Sequence, residues 1–339
     1  MLRNIVINTA LVLASILVFF GGGELLLRFT VANPNPVPPG IYRSNPDPAI
    51  SYELKPNLRK FPAFRGTVTT DERGFRSPPI DPKKPTIAML GDSITFGFGV
   101  NDDQTLASRL AASFPTFNVV NTGVAGYALA QEVRTFREKF LPLRPSLLIL
   151  TFHPQDFGRT ISWLDSEGFL HPPGWTPGER HCDPITQGIL NEIPGKCWLD
   201  LHSAFYTAVK KFVNRRILKE AQREDAANSL ASVYDDTVTD AQLSDVASRL
   251  QALDALVGGS VPRLFVLWPD RNVHIIARQK LRDIARARGW TFLDLYEFFG
   301  NRMETLPWDS VHPSPESIME AATIIGDTLK HDTNVGVKR

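Results

Sequence analysis

Apolar positions along the chain fall into three kinds of run. The first is unbroken. Between Arg3 and Glu24 no charged residue appears, from Asn4-Ile5-Val6 through Phe20-Gly21-Gly22-Gly23. That is the length of a helix able to cross a bilayer, roughly 17–25 residues. The second kind is short, continuous and fenced by turn formers. Thr86 to Leu90 lies between Lys83-Lys84-Pro85 and Gly91, and Phe117 to Asn121, Ser146 to Phe152, Arg263 to Trp268 and Trp290 to Leu295 behave alike. Such runs predict strands covered on both faces. The third kind returns every three or four residues. It predicts helices over Thr105 to Ala112, Leu129 to Phe140, Thr239 to Val257, His274 to Arg288, and from Pro315 onward. Leu243, Val246, Leu250 and Leu253 form one stripe, and Ile318, Ala321, Ala322, Ile325 and Leu329 another.

Strands alternating with helices predict a parallel sheet with helices on both of its faces. Two stretches interrupt the alternation. Residues 31–50, with Asn33-Pro34-Asn35-Pro36-Val37-Pro38-Pro39-Gly40, read as an extended linker. After them, Thr67 to Arg76 predicts a strand or hairpin, a flap packed on the main domain, with Arg73 and Arg76 either lining the cleft or, the favoured reading, serving as exposed ion-pair partners. Residues 157–236 form a long insertion, first rich in Gly, Pro and Trp, then helical from about Phe205 to Ala227. Long connections of this kind are often lids. The expected organisation is an anchor at 1–30, linker and β flap at 31–85, an α/β domain at 86–330, and a tail at 331–339.

Composition changes this picture in two places. The 339 residues carry 37 basic and 36 acidic side chains, a net charge of +1, so bulk electrostatics give no reason to expect a nucleic-acid partner. Arg3 and the amino terminus keep that end of the apolar run in the cytoplasm. No small-x-small cleavage site follows, which favours an uncleaved signal anchor over a removed signal peptide or a buried helix. The rest of the chain is then periplasmic or extracellular. Cys182 and Cys197, the two cysteines, both lie in the insertion. In an oxidising compartment they are expected to pair, closing a short loop worth about 3 kcal/mol in the loop-closure treatment. A metal site is the competing reading. His181 adjoins Cys182, but no further Cys-x-x-Cys or His-x-His completes four ligands, so no metal is expected. Gly97-Phe98-Gly99 lacks the third glycine of a dinucleotide fingerprint, and no cofactor is expected.

Candidate chemistry sits at strand ends, where open α/β sheets bind ligands. Ser93 follows the first strand in Gly91-Asp92-Ser93-Ile94-Thr95. On its own it is equally a turn residue, since Asp and Ser both hydrogen-bond nearby backbone. A second motif raises its weight: Asp309-Ser310-Val311-His312-Pro313, just before the last helix. A serine nucleophile needs a base, and the base needs an orienting carboxylate. The spacing of Asp309 and His312 lets one loop carry both.

These segments resemble the SGNH (GDSL-type) hydrolase family. Gly91-Asp92-Ser93-Ile94-Thr95 is similar to its first block, which carries the nucleophile, and Asp309-x-x-His312 to its last. Val119-Val120-Asn121-Thr122-Gly123-Val124-Ala125-Gly126 matches the second block, with Gly126 aligning with the oxyanion glycine. The third block, usually Gly-x-Asn-Asp, is replaced by His153-Pro154-Gln155-Asp156, so that Gln155 stands where the family has its oxyanion asparagine. His153 is a competing donor there, or a packed loop histidine. The resemblance covers about 86–330 less the insertion. It implies a flavodoxin-like three-layer α/β fold with a five-stranded parallel sheet, and a triad of Ser93, His312 and Asp309 acting on carboxylic esters. The expected function is an exported, membrane-tethered serine esterase. The alternatives are an O-acyltransferase modifying a cell-envelope polysaccharide or lipid with the same triad, and a non-catalytic binding protein on this scaffold. Trp163, Trp175 and Trp198 either stack on carbohydrate or pack the insertion. Arg271, after the fourth strand, is a contact for an anionic substrate or a surface ion-pair partner.

Overall fold

A computed structural model describes residues 2–30, 40–166, 168–174, 193–210, 212–213, 216, 238–270, 272–306, 309, 311–332 and 335. The chain divides into two compact units, one made of 1–36 and 175–227, the other of 37–174 and 228–339. Cys182 of the expected Cys182–Cys197 disulfide, Trp175 and Arg271 lie outside the described residues.

In the larger unit, five short apolar runs form one parallel sheet: β5 (Thr86–Leu90), β6 (Asn118–Asn121), β7 (Leu147–Phe152), β10 (Arg263–Leu267) and β11 (Thr291–Asp294). Their order, β11-β10-β7-β5-β6, is the flavodoxin-like one, reversing direction at β5. Successive side chains on each strand face opposite layers. Ile87 and Met89 of β5, with Leu147 and Ile149 of β7 and Leu264 and Val266 of β10, pack in one core. Ala88 and Leu90, with Leu148, Leu150, Phe152, Phe265 and Leu267, pack in the other. Helices α3 (Leu106–Ser113) and α10 (Pro315–His331) cover the first face. Helices α4 (Leu129–Thr135), α7 (Asp240–Val257) and α8 (Ile275–Ala287) cover the second, and a short hairpin of β8 (Trp163–Leu164) and β9 (Leu170–His171) and the one-turn helix α9 (Tyr296–Phe299) belong to the same unit. Both faces are therefore dry, which is why these strands read as continuous apolar runs rather than alternating ones. The helix expected over Leu129 to Phe140 changes character midway. It is α-helical to Thr135 and a π-turn over Phe136–Phe140.

The flap consists of two antiparallel hairpins, β1 (Tyr42–Ser44) with β2 (Tyr52–Leu54), and β3 (Phe61–Ala63) with β4 (Gly66–Val68). The linker reading of residues 31–50 is therefore corrected at its end. Ile41 and Ile50 are fully buried, and they pack with Tyr52, Leu54, Phe64, Phe96, Val124 and Tyr127 in a third core. Isolated apolar residues among prolines gave no periodicity to detect; only partners distant in sequence bury them. Arg76 is the second correction. It is not an exposed ion-pair partner but 3% exposed. Its guanidinium donates to the carbonyls of Thr67, Phe96, Gly97 and Val100 and pairs with Asp102 at 2.9 Å. It thereby ties the flap to the turn after β5. Arg73 does pair at the surface, with Asp71 and Glu72.

The smaller unit holds α1 (Leu2–Thr30), α5 (Lys196–His202) and a further helix, α6, over 204–210. From Arg3 to Arg28 α1 is long and apolar enough to cross a membrane, with mean hydropathy 2.3 and none of its most apolar window buried. Near its carboxyl end, the Glu24 carboxylate accepts from Ser203 Oγ and from the backbone N–H groups of Ala204 and Phe205 at 2.8, 2.9 and 2.9 Å. These are groups that the start of α6 would otherwise leave unpaired.

Candidate active site

Ser93 opens the four-residue helix α2 (Ser93–Phe96), directly beyond the end of β5. Asp92 caps that helix: its Oδ1 accepts from Ile94 N–H at 2.9 Å. The second loop is stitched to α2 by Asn121, whose amide donates to the Thr95 carbonyl at 2.7 Å while its oxygen accepts from Gly123 N–H at 2.9 Å. The two glycines of that loop differ in their work. A Cβ on Gly123 would meet the Phe96 backbone nitrogen at 2.3 Å, so glycine there permits close packing of loop on helix. Gly126 has φ +86°, a left-handed conformation that costs other residues, and a Cβ there would lie 2.8 Å from the Tyr52 hydroxyl.

His312 arrives from the loop before α10. Its Nε2 lies 2.9 Å from Ser93 Oγ, and its Nδ1 lies 2.7 Å from Asp309 Oδ2. Asp309 Oδ1 accepts from the backbone N–H groups of Val311 and His312 at 2.7 and 2.9 Å. The network assigns the tautomer: the imidazole donates Nδ1–H to the carboxylate, and Nε2 is left to accept from the serine. Burial pushes the Asp309 carboxyl up, but the His312 hydrogen bond and charge and the two backbone donors outweigh it and hold the group below the usual carboxylate range. The three side chains, drawn from positions 219 residues apart, thus form one continuous chain of hydrogen bonds. The arrangement can remove a proton from an attacking hydroxyl.

Sequence reading did not find the support beneath the imidazole. The Phe98 ring stacks on His312 with centroids 4.1 Å apart and planes 21° apart, and Phe64 of the flap packs on Phe98 at 4.5 Å. The signal available was Gly97-Phe98-Gly99, an aromatic between two glycines, with nothing to name its partner.

The third block lies just beyond the end of β7. Leu90 pairs with Leu150 across β5 and β7, so Ser93 and His153 each stand three residues beyond that pair, on neighbouring strand ends. Gln155 is exposed, and its backbone N–H donates to His153 Nδ1 at 3.2 Å. His153 is 2% exposed, and its Nε2 has no hydrogen-bond partner. The Gln155 bond places the remaining ring proton on Nε2. Burial pushes the His153 pKa down to about 4, against opposing pulls from Asp92 and Asp270, so the ring is neutral. Asp156 closes the turn by accepting from His153 N–H at 2.8 Å. Arg159, unremarked in the sequence, reaches Asp92 Oδ2 at 2.8 Å and Asp156 Oδ1 at 3.3 Å. Its other side forms part of the wall of a cavity of about 400 Å³, with Ala128, Leu129, Thr160, Gln242 and Arg249. Among the described residues no cluster of three or more His, Cys, Asp or Glu side chains has a metal-holding arrangement.

Trp163 packs on His171, which pairs with Asp165 at 2.7 Å. Trp198, in the smaller unit, is 57% exposed and stacks on His202.

No family model matches the chain, and no curated protein matches it in sequence. Among solved structures, it is similar to that of TesA at 14% identity, covering 72% of this chain and 98% of that one, with a TM-score of 0.40. It is similar at 12% identity to a putative lipolytic protein of the G-D-S-L family from Desulfitobacterium hafniense DCB-2, covering 73% and 100%, with a TM-score of 0.39. The lipase/acylhydrolase from Enterococcus faecalis matches at 13% identity over 73% and 95%, with a TM-score of 0.40. At these scores the fold rests on the strand order described above.

Proposed function

We propose that the chain is an SGNH-type serine esterase, with Ser93 as nucleophile, His312 as general base and acid, and Asp309 as its orienter. The observation that carries this reading is the unbroken hydrogen-bond chain Ser93–His312–Asp309, at 2.9 and 2.7 Å. Ser93 Oγ bonds to the ester carbonyl carbon as its proton passes to His312 Nε2. The tetrahedral oxyanion then collapses, and the departing alkoxide takes that proton. Water, deprotonated in turn by His312, releases the acid and restores Ser93. The oxyanion donors in this reading are the backbone N–H groups of Ser93 and Gly126, with the Gln155 amide as the third.

The protein is further proposed to be tethered by α1, with the catalytic unit outside the cytoplasm. Support comes from the apolar span Arg3–Arg28 and from Arg3 at its amino end. A fluorophosphonate probe should label the parent at Ser93 and leave Ser93→Ala unlabelled, with hydrolysis of a chromogenic acetyl ester lost in parallel. Full activity in Ser93→Ala would overturn the assignment. Alkaline phosphatase fused after residue 40 should be active in cells, and an inactive fusion would rule out export.

A further inference from the structure

The Ser93 hydroxyl has one proton and two acceptors within reach. Its oxygen lies 2.9 Å from His312 Nε2 and 3.1 Å from Asp92 Oδ2. Only the first contact is productive. A carboxylate is far too weak a base to take a serine proton, so a hydroxyl turned toward Asp92 is a hydroxyl withheld from His312. Asp92 is also a full charge close to where an oxyanion would form.

Arg159 occupies that competing acceptor. Its Nη1 donates to the same Oδ2 atom at 2.8 Å and to the Tyr127 carbonyl at 3.2 Å, and its Nη2 lies 3.3 Å from Asp156 Oδ1. The other Asp92 oxygen is filled by Ile94 N–H. The remaining neighbours do not supply a counter-charge. His153 is neutral, and Glu132 and Asp156 are carboxyls. Burial pushes both carboxyls well above their usual range, helped by the Asp156 and Asp92 carboxyls at Glu132 and by Asp92 at Asp156, whereas burial of Asp92 is outweighed by Arg159 and the Ile94 N–H, leaving it ionised. The cation beside the nucleophile's neighbour is thus supplied by Arg159, a residue outside the four motif blocks.

We infer that Arg159 is a positioning residue that acts through Asp92: by binding Asp92 Oδ2 it weakens that oxygen as an acceptor and keeps the Ser93 hydroxyl turned to His312, and it neutralises the carboxylate beside the reacting carbonyl. This rests on the reading of Ser93 as nucleophile. Arg159 is then needed only while residue 92 is a carboxylate. Asparagine at 92 keeps the cap to Ile94, since Asn and Asp cap equally well, and it can present an NH2 group in place of the second acceptor.

The test uses the full chain in four forms: parent, Arg159→Gln, Asp92→Asn and the double variant. Each is measured for kcat and KM on 4-nitrophenyl acetate and for the rate of fluorophosphonate labelling. Arg159→Gln should lower kcat and the labelling rate by roughly 30-fold with KM within about twofold, the pattern of an interaction needed in the transition state. The double variant should fall within about threefold of Asp92→Asn alone. Additive losses would show that Arg159 acts elsewhere, and a loss confined to KM would make it a substrate contact; either overturns the inference. If Arg159→Gln fails to fold, Arg159→Lys decides. Lysine retains one charged donor and should keep at least a third of parental kcat while residue 92 is Asp, and unchanged dependence on residue 92 would sink the idea. A parent with no adduct on Ser93 would overturn the nucleophile reading itself, whereas a labelled parent with an insensitive Arg159→Gln would overturn this inference alone.

Discussion

The two halves of the candidate active site are held by different means. Ser93 stands at the end of a fully buried strand, itself 8% exposed, and is surrounded by fixed partners: the Asp92 cap, the Asn121 amide, and the Arg159 ion pair behind Asp92. His312 stands on a half-buried loop, held by its own carboxylate three residues earlier, by an isolated Thr305–Pro313 bridge, and by the Phe98 ring. The serine side is placed by the sheet. The base is placed by local chemistry plus one aromatic face that continues into the flap through Phe64. The serine is thus fixed by the sheet, while the imidazole leans on a peripheral element.

That contrast can be broken from either side. Asp309→Asn should be the most severe on the base side. The asparagine cannot hold the imidazole in the tautomer that leaves Nε2 free, and kcat should fall by about 10⁴ while the fold is kept. Comparable activity in parent and variant would show that Asp309 does not orient His312. On the serine side, Gln155→Ala should lower kcat on an acetyl ester by about 10², the effect of losing one oxyanion donor. An unchanged rate would remove Gln155 from the site.

His153 sharpens the comparison through stability rather than rate. Its folded-state pKa is about 4 against an ordinary value near 6.5, so the unfolded chain binds a proton more readily. Stability from this group is present above about pH 6.5 and is lost as pH falls toward 4. Between pH 7 and 5 the loss is about 2 kcal/mol. Urea unfolding of His153→Asn should show a correspondingly smaller fall over that interval; equal falls in both proteins would contradict the buried, neutral histidine. Phe98→Ala should have the smallest effect. Losing a stacked ring worth about 1 kcal/mol should lower kcat about fivefold by loosening His312, with Phe98→Tyr close to the parent. If Phe98→Ala matched the parent, the flap would have no part in holding the base.

The sheet was legible because its strands are covered on both faces, and a run such as Ile87-Ala88-Met89-Leu90 needs no knowledge of its neighbours to be read. The same holds for Ser93, Asp309 and His312, whose motifs are local. What was not legible depends on partners far along the chain. Arg76 looked like any surface arginine until four carbonyls from β4 and the turn after β5 closed around it. Ile41 and Ile50 looked like parts of a linker, and Arg159 like a loop residue after a strand.

Sequence alone determined the order of elements, the parallel sheet and the residue types that carry the chemistry, because periodicity and short motifs are properties of neighbouring residues. Tertiary structure decided which acceptor competes for the Ser93 proton, which ring lies under His312, and that the flap belongs to the same packed unit. Those are distances between residues tens to hundreds of positions apart, and they exist only once burial has brought them together.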